Sequence, residues 1–387
     1  MHFQSSLNHS LSRSLTRSLT RSLTRSLVHS VSPKTLAALA TALSVCAAGA
    51  TPLNPLAYGS LGSLNLGAGS YTLNTSGALP QLLGPGATVL YTGVLQAQAD
   101  SFNPFIAVFD FNSIAVAAGA TITASGSNPV ALLSRSGISF AGTLDAAGRN
   151  GGDQGAGVGG RGGPGAGRGG NGGPGSGEFG QGPGGGAGGF GGLGNGSWGE
   201  GGAYGGLGSN WNPARTAALP YGDLALTLQA GSGGGASGVN LFGTGAGGGG
   251  GGGGVELGAV SFITLNPGSR LNAFGGQGGN GTAINTGGGS GGGVLLHAPL
   301  IDVQSSPLLG PAYVDASGFS GGRIAFFTGD ATVQGNLASV SVNADFYGHV
   351  GVITFSALAA VPEPASGGLM LLGVAALALR RARQTNA

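Results

Sequence analysis

Apolar residues in the first half of this chain fall at alternate positions, in short phrases broken by glycine, proline and asparagine. "GSYTLNT" (69–75), "GATVLYTG" (86–93) and "FIAVFDFNSIAVAAGATITASG" (105–126) are of this kind. A period of two with Val, Ile, Thr, Phe and Tyr predicts β-strands, and no window here has the spacing of an amphipathic helix. Further strand-like phrases start from glycine pairs: "GGVELGAVSFITL" (253–265), "GGVLLHAPLIDV" (292–303) and "GGRIAFFTG" (321–329).

One phrase recurs. "LDAAGRNGG" (144–152), "LNAFGGQGG" (271–279) and "VDASGFSGG" (314–322) all fit [LV]-[DN]-A-x-G-x-x-G-G. The first two copies are 127 residues apart and the last two 43. Repeated strand units with glycine turns predict coils stacked into a right-handed parallel β-helix, a solenoid in which no coil buries its apolar face alone. A β-sandwich is the alternative; irregular spacing and large glycine insertions favour the solenoid. Glycine supplies 87 of the 387 residues. Much of it lies between 148 and 254, a stretch that reads as a flexible linker. The aromatics there (Phe179, Phe190, Trp198, Tyr204, Trp211, Tyr221) fit anchors onto the solenoid flank better than a stacking platform for sugars.

Two longer apolar runs lie at the ends. Leu36 to Ala48 follows basic residues and leads into Ala48-Gly49-Ala50, the order of a secretory signal peptide with cleavage after Ala50 and a signal helix before it. The Ser-Leu-x-Arg tetrapeptides upstream read as an elongated basic region. Val45 is too bulky before Cys46, the only cysteine, for a lipoprotein signal. At the other end, 365–379 is uncharged and Arg380, Arg381 and Arg383 follow. A short hydrophobic helix with a stop-transfer cluster, the arginines cytoplasmic, is expected. Val361-Pro362-Glu363-Pro364 would then lie just outside the membrane as extended, accessible backbone.

That tail resembles the PEP-CTERM sorting signal of Gram-negative bacteria: motif, greasy stretch and arginines in order at the terminus. The resemblance implies an exported substrate of a membrane-embedded exosortase, transiently anchored in the inner membrane. Such hosts are associated with exopolysaccharide and biofilm matrix at the cell surface. The region 112–330 also resembles the glycine-rich β-helix repeats of bacterial surface proteins. Four segments follow: a signal peptide (1–50), an N-terminal β region (51–111), a β-helix body (112–360) with its insertion at 148–254, and the sorting signal (361–387).

Charge narrows the partners. Residues 51–364 hold seven arginines against 13 Asp and Glu, a net charge of −6, and Lys34 is the only lysine. Nucleic acid is therefore not an expected partner, and a P-loop is impossible. The secretion machinery and the exosortase are expected partners, with exopolysaccharide a third through backbone hydrogen bonding to neutral sugars. No catalytic, cofactor or metal site is predicted. Asp145, Asn272 and Asp315 share a repeat position and read as turn residues bonding their own backbone, although aligned carboxylates would suit a polysaccharide-modifying enzyme. Ser290 and Ser320 sit in G-x-S-x-G matches without a strand-turn-helix context. His297 and His349 are expected on strand surfaces. The reading is an exported structural surface or matrix protein, with a polysaccharide-modifying enzyme or a surface adhesin as alternatives.

Overall fold

The computed structural model describes residues 52–358, apart from 101, 191–197, 211–215, 239–244, 281–285 and 345–348. The expected signal helix and C-terminal helix lie outside these residues. The described chain is mainly β, with three largely parallel sheets.

Sheet I holds Ser63–Leu66, Ser113–Val116, Gly137–Phe140, Phe262–Leu265, Leu300–Val303 and Gln334–Gly335. Sheet II holds Gly69–Asn74, Ala120–Ser125, Thr143–Asp145, Arg270–Asn272, Tyr313–Asp315 and Val340–Ser341 in parallel, with Gln81–Leu83 and Val89–Thr92 added antiparallel. Sheet III runs from the antiparallel Val94–Gln96 through Ile106–Phe111, Val130–Ser134, Gly254–Ala259, Gly293–His297 and Arg323–Thr328 to Val352–Ala357. From Ile106 onward the chain visits sheets III, I and II in that order, again and again. Strands before Asn112 join the same sheets as those after it.

Register stacks like on like. Leu64, Ile114, Ile138, Ile263 and Ile301 form one ladder in sheet I. Phe109, Leu132, Leu257, Leu296, Phe326 and Phe355 form another in sheet III. Most of these side chains meet in one core. Sheets I and II alternate buried with outward positions, as in Ala120–Ser125. Sheet III instead buries both faces through Ile106–Phe111 and Gly254–Ala259. A second apolar cluster covers its outer side, formed by Leu53, Val108, Leu133, Leu224, Leu228 and Leu295 among others.

The glycine-rich segments correct the linker expectation. They leave the sheets at one corner, between the end of a sheet II strand and the next sheet III strand, and they are packed rather than loose. Gly247, Gly250 and Gly253 donate backbone hydrogen bonds to the carbonyls of Gly152, Arg149 and Ala146. Gly248 and Gly251 donate to Gly170 and Gly167, and Gly249 and Gly252 to Gly287 and Ser290. The same run accepts from Gly160 and Gly163, from Gly231 and Gly234, and from Gly276 and Gly279. Contacts recur every third residue, the period of a polyproline II helix, which has no internal hydrogen bonds and must find partners outside itself. Six neighbouring segments surround Gly247–Gly254. A Cβ on Gly248, Gly249, Gly250 or Gly252 would collide with the carbonyl oxygen of Gly234, Gly276, Arg161 or Ala273. Eight consecutive glycines are thus the requirement of a segment enclosed on every side. Segments at the rim keep side chains on their free face, as Val158 and Phe179 do. Glycine's conformational freedom does not by itself make a linker, because a bare backbone can make hydrogen bonds on all sides.

Candidate functional site

Gly254–Ala259 carries a carboxylate on the outer face of sheet III. Glu256 lies in register between Ala131 and Leu295, all three buried. The segment Leu53–Tyr58 crosses over it. The Leu53 N–H donates to Glu256 Oε1 at 2.7 Å. His297 Nε2 is 3.0 Å from the same oxygen, an ion-pair distance when the ring is protonated, but too poorly aligned to count as a hydrogen bond. Glu256 Oε2 is buried with no hydrogen-bond partner. Gly258 makes this approach possible: it faces His297 across the strand pair, and a Cβ there would overlap the imidazole.

Two positions along the same sheet, Asp110 Oδ2 meets Arg135 Nε at 2.9 Å, and Arg135 also donates to the Tyr58 carbonyl. Burial raises the Asp110 pKa above the ordinary carboxylate value, opposed by the hydrogen bond and charge of Arg135. The Tyr58 hydroxyl donates to Gln96 Oε1 at 3.3 Å. Its pKa is pushed far up by burial first, then by the negative charges of Glu256 and Asp110. From the other side, Gln98 brackets Leu228, accepting from its N–H at 2.8 Å and donating to its carbonyl at 3.0 Å. Glu256 and Asp110 place two carboxylates on this face against the one guanidinium of Arg135, with His297 beside Glu256. Glu256 is 0 % exposed and His297 4 %, so the arrangement is sealed from substrate and acts on the fold.

His297 is therefore not on a strand surface as expected: the outer face of its sheet is covered by the N-terminal segment, which strand alternation alone does not reveal. His349 is exposed. Asp145, Asn272 and Asp315 do align across sheet II. Each accepts from the N–H two residues on: Ala147 at 3.2 Å, Phe274 at 3.1 Å and Ser317 at 2.9 Å. Asn272 Nδ2 also donates to Asp145 Oδ1 at 3.2 Å. They hold the chain where it turns from strand into glycine segment. Ser290 and Ser320 are buried within the glycine segments. The Ser290 hydroxyl accepts from the Ser232 N–H at 2.9 Å, and the Ser320 hydroxyl donates to the Gly202 carbonyl at 2.7 Å. Tyr204 is buried against Tyr221, ring centroids 4.9 Å apart, with Arg323 over its face. Phe179 and Phe190 are exposed.

Glu256, Asp110 and Tyr58 were missed from sequence. The usable signal was a lone acid in an otherwise apolar strand, "GVELGA". Among the described residues, no group of three or more His, Cys, Asp or Glu could hold a metal, and no helix is long and apolar enough to cross a membrane.

The tail residues Val361, Pro362, Glu363, Pro364, Arg380, Arg381 and Arg383, and Ala48 and Ala50 of the leader, lie outside the described residues. A family comparison decides the nature of the tail. Residues 360–384 match the PEP-CTERM protein-sorting motif. The chain is thus an exported, membrane-transiting protein of the kind sorted by an exosortase. No curated protein and no solved structure matches the chain.

Proposed function

We propose that this PEP-CTERM protein is a structural component of the cell surface or extracellular matrix of a Gram-negative bacterium, associated with exopolysaccharide. The observation that carries the reading is the sorting motif at 360–384. In this reading the leader is removed after Ala50 by the secretion machinery. The stretch 365–379, stopped by Arg380, Arg381 and Arg383, holds the chain in the inner membrane until the exosortase acts near Val361-Pro362-Glu363-Pro364. The body is a right-handed parallel β-helix. The fixed rotation among three sheets, with in-register parallel ladders, supports the solenoid, and the near-universal right hand of parallel crossovers supports its handedness. The glycine bundle beside it supports a role as stiff material: a net acidic body with few charges and a rim of glycine backbone suits contact with neutral sugars.

Intact mass of protein recovered separately from membrane, cell-surface and medium fractions tests this. The expected species outside the cell has lost residues 1–50 and the tail beyond about Pro364. A membrane-bound species with the arginine tail intact as the end product would replace sorting by plain anchoring, and the matrix role would fall with it.

A further inference from the structure

We propose that Glu256 is the receptor for the α-ammonium group created when the leader is cleaved, so that export itself completes the fold. The inference rests on the cleavage after Ala50 proposed above. Glu256 is fully buried, and its Oε2 has no hydrogen-bond partner. Leaving a buried carboxylate oxygen unsatisfied is strongly unfavourable, and proteins almost always supply a partner. The other oxygen already takes the Leu53 N–H at 2.7 Å. A chain that begins at Thr51 carries its ammonium group two residues before that N–H. Two residues span at most about 7 Å, which keeps the amine within reach of the carboxylate.

Charge points the same way. The groups facing Glu256 and its neighbours under the N-terminal segment are His297, Tyr58, Asp110 and Arg135. Glu256 and Asp110 are two carboxylates against the single guanidinium of Arg135, and the new N-terminus adds one positive charge. In the uncleaved precursor residue 51 has only an amide N–H, which brings no charge. Cleavage forms the amine by hydrolysis of the Ala50–Thr51 peptide bond, and the amine takes up a proton from solvent. No other reactant is needed.

The test measures how fast the α-amine of a chain made to begin at Thr51 is acylated by an amine-selective reagent near neutral pH. The expected result is a rate at least tenfold below that of a chain extended by Gly-Ser before Thr51. In Glu256→Gln the rate rises to that of the extended chain. N-terminal acetylation is expected to lower the Tm of the wild type and to leave Glu256→Gln unchanged. If Glu256→Gln does not fold, the extended and acetylated wild-type chains give the same comparison. An amine as reactive in the Thr51 chain as in the extended chain, with acetylation neutral, overturns the proposal. Sequencing the N-terminus of the exported protein separately decides the cleavage reading: a first residue other than Thr51 overturns that reading whatever Glu256 does in the Thr51 chain.

Discussion

The strand stack and the glycine bundle are both buried, and they are built by opposite rules. In the stack, side chains fill the space: Leu257 lies between Leu132 and Leu296, in the core they share. Its stability comes from apolar area removed from water and from close packing. In the bundle, around Gly247–Gly254, the space between segments is too small for a side chain. Gly250 donates to Arg149 on one side, accepts from Gly276 on another, and would place a Cβ against the Arg161 carbonyl on a third. Its stability comes from backbone hydrogen bonds, each of modest net worth, about 0.5–1.5 kcal/mol, but recurring along every segment. One core is therefore sensitive to removing atoms and the other to adding them.

The largest effect is expected of Gly250→Ala. A single methyl must displace a whole segment, and the loss in denaturant unfolding should exceed the roughly 1–3 kcal/mol of ordinary overpacking. The cut sites in limited proteolysis should move into 148–254. Unchanged stability would show that the bundle is not enclosed. Leu257→Ala tests the other rule and should cost about 2–5 kcal/mol through transfer and cavity terms. Its proteolytic pattern should show the strands, not the glycine segments, loosening first.

Asp110→Asn sharpens the view of the sealed outer face through pH. Burial raises the Asp110 pKa in the folded state above its usual 3.8. The folded protein therefore holds that proton to higher pH than the unfolded chain. Stability from this group is present below 3.8 and is lost as pH rises through the raised value. The stability of Asp110→Asn minus that of the wild type should climb across this window and be flat above it. A flat difference throughout would mean that Arg135 fully offsets the burial. Asn272→Ala removes both the bond to Phe274 N–H and the bond to Asp145 and should cost about 1 kcal/mol. The smallest effect is the control for the first variant. Gly175 is exposed, has ordinary φ and has nothing near its Cβ position. Gly175→Ala should change stability by less than about 1 kcal/mol, toward stabilisation. A loss as large as that of Gly250→Ala would erase the distinction between rim and centre.

Local pattern carried the strands. Alternation in 105–126 and the glycine-pair openings at 253, 292 and 321 mark segments that the sheets contain. The recurring phrase marks one structural event, the exit from sheet II, because its Leu or Val, its Asp or Asn and its Ala do the same work each time: core, turn bond and buried corner. The sorting tail was legible because it is a linear motif, matched over residues 360–384. Only tertiary structure decided which glycines are free and which are enclosed. Gly175 and Gly250 both lack a side chain, and what separates them is the segments lying against each. It also decided that Glu256 and His297 are sealed. Strand alternation tells which side a residue takes, but not that Leu53–Tyr58, some 200 residues earlier in the chain, would close over that side. Backbone hydrogen bonds and burial form between segments far apart in sequence, so composition can announce them but cannot assign their partners.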